Sequence, residues 1–243
     1  MAKQRIDTLL AQKELVDSRE KAKILVMAGA VYVEGQRIAK PDQRIDQDAR
    51  IEVRSGALPY VSFGGTKLRH AFESFGISPA GRVALDIGSS TGGFVDYLLQ
   101  AGASRVYAVD VGSHQLHEKL RHDPRVVLLE GVNARYLTRA HLGETVDIIT
   151  VDVSFISLKK IVPAALPLMT HEGSLVTLVK PQFEVGRYQV GKGGIVKDEE
   201  KIRAVIEDIK AFGLGLGLRP ESIVEAPRGK ERKNREYFIL WKL

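Results

Sequence analysis

The glycine-rich turn Asp86-Ile87-Gly88-Ser89-Ser90-Thr91-Gly92-Gly93-Phe94 most restricts how this chain can fold. It follows the apolar run Val83 to Ile87 and opens a helical pattern from Phe94 to Ala101, so it joins a buried strand to a helix. The rhythm then repeats. Arg105 to Val109 ends at Asp110, Val126 to Leu129 precedes Glu130, Val146 to Val151 ends at Asp152, and Ser174 to Val179 ends at Lys180. Helical patterns fill the gaps around His114 to Leu120, Leu158 to Leu168 and Glu199 to Phe212. Such alternation implies an α/β fold with a mainly parallel sheet covered on both faces. Ser222 to Glu225 and Tyr237 to Trp241 have no helix between them, which predicts an antiparallel hairpin at the end of the sheet.

Before residue 60 the pattern is different. Arg5 to Lys13 reads as a short helix with Ile6, Leu9 and Leu10 on one face. Ser18 is a good N-cap for a helix from Arg19 to Ala28 that stops at Gly29. Val31 to Val33 alternates into the turn signal Glu34-Gly35, and strand-like residues end at Ile51 to Val53. These make a small α+β domain, expected over residues 1–58, with residues 55–59 as linker and a second domain over 59–243.

Composition prunes the functions. The chain has no cysteine, which excludes disulfides, thiolate-bound zinc and a thiolate nucleophile. Its first 23 residues hold no apolar core of signal-peptide length. The longest apolar-leaning run, Ile161 to Met169, carries two prolines and is far shorter than the ~20 residues of a spanning helix. A soluble, cytoplasmic protein is the expectation. The six histidines are scattered and His114-x-x-His117 has no further ligands nearby, so no metal site is expected. Net charge is +6, with a basic stretch at residues 227–236 that reads either as a solvated connection or as a phosphate-contacting rim.

The turn itself suits a cofactor. Glycines allow close approach, and the N–H groups at a helix start favour a polar or anionic ligand. Asp86, Gly88, Ser89, Ser90, Thr91, Gly92, Gly93 and Phe94 are the candidate binding residues there. Asp110 closes the next strand, where an acid can grip ribose hydroxyls. A dinucleotide would require G-x-G-x-x-G, but Ser90 stands at the second glycine. The D-x-G-x-x-x-G-G form instead resembles the first motif of S-adenosylmethionine-dependent methyltransferases. Asn133, after the third strand, is either an adenine contact or an ordinary turn asparagine.

Among methyl acceptors, pyrimidine C5 is excluded with cysteine. Exocyclic-amine methyltransferases resemble one another in an Asn/Asp-Pro-Pro-aromatic string after the fourth strand. This chain has Asp152-Val153-Ser154-Phe155 instead. Asp152 ends the fourth strand, Lys180 the fifth, and Glu236 opens the last. Lys67 lies near the start of a helix predicted from Thr66 to Phe75. If the last strand runs antiparallel, all four charges can meet at one sheet edge.

The order Lys67, Asp152, Lys180, Glu236 resembles the Lys-Asp-Lys-Glu tetrad of FtsJ-like 2′-O-ribose RNA methyltransferases. Gly64-Gly65-Thr66-Lys67, Asp152 to Ser157, Val179 to Glu184 and Gly191 to Val196 resemble the TlyA family in particular. Arg5-Ile6-Asp7-x-x-Leu10, Ser18-Arg19-x-x-Ala22, Ala28 to Gly35 and Lys40-Pro41 resemble that family's S4-type RNA-binding module. The resemblance implies a Rossmann-like methyltransferase sheet with an antiparallel last strand behind an S4-type domain. It also implies S-adenosylmethionine as cofactor and ribosomal RNA or ribosomal subunits as partner, with a cytidine 2′-hydroxyl as acceptor. Lys180 would be the general base, or else a cation stabilising the developing alkoxide with Asp152 and Glu236 orienting it. Arg5, Ser18, Arg19 and Lys23 would contact RNA phosphates. Residues 1–60 hold eleven basic against nine acidic groups, so the motif and not the charge points to RNA. Gly191 to Gly194 reads as a lid, with Lys192 toward a phosphate, or as an idle loop. TlyA relatives also carry the name haemolysin, so two other expectations stand beside the enzyme. One is a non-catalytic RNA-binding or ribosome-assembly protein, the other a membrane-active haemolysin.

Overall fold

The computed structural model describes residues 3–16, 18–28, 30–38, 40–53, 59–186, 191, 193–228 and 234–243. The chain forms two compact units, Met1–Phe63 and Gly64–Leu243. Residues 54–58, which include most of the expected linker, lie outside the described residues, as do Lys192 and residues 229–233.

In the first unit β1 (Lys3–Arg5) leads straight into α1 (Ile6–Gln12), and α2 (Arg19–Ala28) follows. Then come β2 (Val31–Val33), β3 (Gln36–Arg37), β4 (Arg44–Asp46) and β5 (Ile51–Val53). β2 and β3 form a hairpin whose turn residues Glu34 and Gly35 have φ of 48° and 76°. Two left-handed residues match the right-handed twist of the strands. β5 pairs antiparallel with the other side of β2, and β1 pairs antiparallel with β4 as a separate two-stranded sheet. Ile6, Leu9 and Leu10 from α1 meet Leu25, Val26, Val31, Val33 and Ile45 in one small core.

The second unit contains α3 (Phe63–Phe75), β6 (Val83–Ile87), α4 (Gly93–Gln100), β7 (Arg105–Asp110), α5 (Glu118–Arg121) and β8 (Val126–Glu130). There follow α6 (Arg139–Leu142), β9 (Val146–Val151), α7 (Val162–Ala165), β10 (Met169–Val179) and α8 (Pro181–Glu184). α9 (Glu199–Gly215), β11 (Arg219–Glu225) and β12 (Tyr237–Lys242) complete the unit. Its seven strands are ordered β11-β12-β10-β9-β6-β7-β8. β6 to β10 are mutually parallel, and β12 runs antiparallel to both β10 and β11. The strand order reverses between β6 and β9, which opens a crevice beyond their carboxyl ends. Buried Leu85, Ile149, Val151, Leu175 and Ile239 form the middle of the core.

Three of the expected elements differ most from the sequence expectation. The helix expected at His114 to Leu120 shrinks to α5, and His114 takes a left-handed φ of 59°. The Leu158 to Leu168 helix breaks into two single 3-10 turns around α7, with Pro163 and Pro167 interrupting the backbone bonding. β10 begins five residues early, at Met169, and reaches its regular register at Ser174 through a bulge.

Candidate active site

The cleft at the reversal point has a volume of about 510 Å³, within the range of small-molecule sites. Gly88 and Ser90 from the turn, Asp110 from β7, Asn133 and Arg135 after β8, and Asp152 to Ile156 after β9 line it, with Val109, Val111 and Val132 as apolar wall. Asp110 organises its own surroundings. Its Oδ2 accepts the backbone N–H of Ser90 at 2.8 Å and its Oδ1 that of Gly112 at 2.8 Å. Asn133 Oδ1 accepts from the Arg135 backbone N–H at 3.2 Å, capping the single 3-10 turn Ala134–Tyr136.

The other turn residues fall outside that lining. Thr91 is exposed, whereas Ser89, Gly93 and Phe94 are buried. Gly92 caps α4 with φ 93°, and a Cβ there would lie 2.4 Å from Leu120 Cδ1. Gly88 has φ 88°, and a Cβ would lie 2.3 Å from the carbonyl oxygen of Asp152. The closest approach that this glycine permits is therefore to the chain's own β9 edge. Asp152 N–H in turn donates to the Ile87 carbonyl at 2.9 Å. Asp86 is 1% exposed and sits below the turn, where its Oδ1 accepts from Thr150 Oγ1 at 2.6 Å. Burial pushes its carboxyl up to about 7; the Thr150 bond opposes this, and the charges of Asp152 and Asp110 add to it.

The four tetrad residues form two ion pairs at the same edge of the sheet. Lys180 Nζ lies 2.6 Å from Asp152 Oδ1, and Lys67 Nζ lies 2.5 Å from Glu236 Oε2. The topology produces this. Lys180 follows β10 and Asp152 follows its parallel neighbour β9. Tyr237 pairs with Val179, so the antiparallel β12 brings Glu236 to the same edge. All four side chains are largely shielded, at 12–24% exposure.

Several neighbours had no sequence signal. Lys180 Nζ donates to Ser154 Oγ at 3.0 Å and lies 5.9 Å from the Phe183 ring centre. Phe155, with a left-handed φ of 65°, is 91% exposed and meets the Phe183 ring at 5.0 Å. Glu130 binds Arg121 at 2.6 Å and the Gln115 backbone N–H at 3.2 Å, fixing the loop that brings Gln115 to the cleft. The Arg121 guanidinium and the N–H groups of residues 114–116 hold its carboxyl down at about 2. His117 Nδ1 accepts from the Lys119 N–H as the cap of α5. Among the described residues no group of three acids or histidines is arranged to hold a metal ion.

In the first unit Arg5 and Arg19 are held by one acid. Asp7 is fully buried, 2.9 Å from Arg5 and 3.3 Å from Arg19. Burial would raise its carboxyl, but bonds from Arg5, Thr8 and Arg19 outweigh that and hold it at about 2. Both guanidinium groups stay nearly half exposed. Ser18 is exposed ahead of α2, and Lys23 is half-buried on it. Of the basic stretch at 227–236, Arg228 pairs with Glu225, and Arg235 binds Glu199 and Glu225.

Residues 60–243 match the FtsJ-like methyltransferase family, and residues 4–51 match the S4 domain. A Mycobacterium tuberculosis protein named 16S/23S rRNA (cytidine-2'-O)-methyltransferase TlyA is 42% identical, over 98% of this chain and 88% of its own length. Hemolysin A of Brachyspira hyodysenteriae is 38% identical, over 96% of this chain and 98% of its own. A solved structure from Streptococcus thermophilus, described as a candidate hemolysin, superposes with a TM-score of 0.77 at 40% identity. It covers 99% of this chain and 88% of that one. No described helix is long and apolar enough to cross a membrane. The glycine turn, the two ion pairs on the β9–β10–β12 edge and these matches agree: the chain belongs to the TlyA family of FtsJ-like methyltransferases, with an S4 domain ahead of the methyltransferase fold.

Proposed function

We propose that this protein methylates a ribose 2′-hydroxyl of ribosomal RNA, at cytidine, using S-adenosylmethionine in the cytoplasm. The observation that carries the proposal is the pairing of Lys180 with Asp152 and Lys67 with Glu236 beside the cleft. The names of the TlyA relatives support the acceptor.

The cleft residues fit the cofactor. Asp110 is fixed by two backbone donors with its carboxylate on the wall, where ribose hydroxyls would be received. Val109, Val111 and Val132 offer an apolar face for a nucleobase, and Asn133 stands beside them. Bound there, the cofactor supplies an electrophilic methyl group. Everything else falls to the chain.

A ribose hydroxyl is a poor nucleophile until its proton leaves. Lys180 Nζ is assigned to that oxygen, with Asp152 and Ser154 holding the nitrogen in place. Lys67, anchored by Glu236, adds positive charge where the alkoxide develops. Orientation of the two reactants supplies much of the rate, since well-aligned reactions gain ~7–11 kcal/mol. Residues 1–58 are assigned to RNA, with Arg5, Ser18, Arg19 and Lys23 facing phosphate. Asp7 presents two half-exposed guanidinium groups side by side, which supports that assignment.

The test is transfer of labelled methyl from S-adenosylmethionine to small and large ribosomal subunits purified from cells lacking the protein. Nuclease mapping should place the label on a ribose 2′-oxygen, and Lys180→Ala should abolish it. Lys180→Arg separates the two roles of the lysine, because arginine keeps the charge but gives up no proton. Retained transfer in that variant assigns Lys180 as a cation, lost transfer as a base. No label on either subunit, with cofactor binding intact, would overturn the proposal.

A further inference from the structure

Two of the segments that build the methyl-transfer site meet at the Lys180–Asp152 pair. One is the loop after β9, Asp152 to Leu158, which carries Asp152 and Ser154. The other is Lys180 followed by α8, which ends at Glu184. Asp152 and Lys180 attract each other, but that ion pair ties down only the near end of the loop. A second connection lies further along both segments. Ser157 Oγ donates to Glu184 Oε2 at 2.5 Å, and the Leu158 backbone N–H donates to Glu184 Oε1 at 2.9 Å. Both carboxylate oxygens are thus engaged by the loop.

The surroundings make this connection costly to open. The side chain is partly buried, and α8 packs against α9. Burial pushes the Glu184 carboxyl up, opposed by the bonds from Ser157 and Leu158. Without those donors a partly buried acid would keep only the nearby Lys159 charge as compensation. Ser157 is also the N-cap of the 3-10 turn Leu158–Lys160, its Oγ accepting from the Lys159 N–H at 3.2 Å. The clamp therefore fixes the far end of the loop whose near end is Asp152.

We propose that Glu184, acting with Ser157, is a positioning residue for methyl transfer, holding the Asp152 loop against the Lys180 segment. The proposal rests on the function assigned above. Glu184 touches neither reactant. It sets the separation and angle between Asp152, Ser154 and Lys180, and a misplacement of ~1 Å at such a site can cost about 100-fold in rate.

The test uses the full chain with tritiated S-adenosylmethionine and ribosomal subunits from cells lacking the protein. Amide hydrogen exchange over residues 152–158 is measured in parallel and requires no turnover. Glu184→Ala should lower kcat by up to about 100-fold with the KM for the cofactor changed less than about threefold, and should speed exchange across the loop. Glu184→Gln should restore both readouts, because its amide oxygen accepts from Leu158 and its NH2 group donates to Ser157 Oγ. Ser157→Ala, a milder change that keeps the fold if Glu184→Ala does not, should move both readouts in the same direction by less. Glu184→Gln failing as badly as Glu184→Ala would overturn the proposal. So would exchange and kcat at wild-type levels in both alanine variants. Wild-type protein that transfers no methyl overturns the assigned function and the catalytic half of this proposal, while exchange still decides whether Glu184 holds the loop.

Discussion

The two halves of the sheet edge use their charges in opposite ways. On the β6–β7 side the acids meet neutral donors: Asp110 accepts two backbone N–H groups, and Asp86, buried beneath the turn, accepts the Thr150 hydroxyl. On the β9–β10–β12 side acids meet lysines, in two largely shielded pairs. An acid fixed by two backbone donors, above a second one buried with its own partner, makes a rigid receptor. A lysine ammonium carries three donors on a flexible stem, so an entering hydroxyl can take up one of them while the ion pair stays formed. A prebuilt pocket beside a rearrangeable charge cluster is what transfer from a fixed donor to a variable acceptor requires.

That contrast can be broken most sharply at Lys180. Lys180→Ala should cost between about 100- and 10,000-fold in methyl transfer, the range for a lost general acid–base group, while calorimetry finds cofactor affinity unchanged within a few fold. A comparable loss of affinity would mean that the halves are not separate. Next comes Gly88→Ala, where left-handed backbone and collision with the Asp152 carbonyl combine. About 3 kcal/mol of stability should be lost, with cofactor binding and turnover failing together. Urea denaturation is the check, and wild-type stability would refute the close contact.

Asp86 gives a pH signature. An acid holding its proton up to about 7 in the native state and releasing it near 3.9 when unfolded stabilises the fold fully below ~4. That contribution is lost as pH climbs through about 7. Asp86→Asn stays neutral throughout, so its stability relative to wild type should rise by roughly 1.4 kcal/mol per pH unit across the window. Unfolding at pH 5 and pH 7 measures it, and a constant gap would refute it. The smallest effect is expected from Glu130→Gln, which weakens the bonds to Arg121 and Gln115. Cofactor affinity should fall several-fold, about 1 kcal/mol, with turnover at saturating cofactor unchanged. A fall in saturated turnover would tie this loop to the acceptor half.

Much of this was legible from local pattern. Strand periodicity located β6 to β9, and one inference of strand direction brought Glu236 to the edge occupied by Lys180. What stayed hidden depends on contacts between distant residues. Asp7 reads as an ordinary first-turn acid, yet it is buried and binds Arg5 and Arg19. The three-residue strands β1 and β4 are too short to show alternation. His114 to His117 has helical spacing, but Glu130, fifteen residues beyond Gln115, takes the loop's N–H groups and holds it out of a helix. Ser157 and Glu184 each end a string that resembles the TlyA family, but nothing in the spacing shows that they meet, which follows from β9 and β10 being neighbours.

The contact between Gly88 and the Asp152 carbonyl has a consequence for heredity. A lineage that acquires a side chain at position 88 cannot be rescued by adjusting the turn alone, because the obstruction lies across the sheet. Compensating changes should arise at residues 152–153, where the main chain must withdraw. The two motifs, far apart in the gene, should therefore drift as one unit, and a library randomised at both together should yield survivors that neither library yields alone.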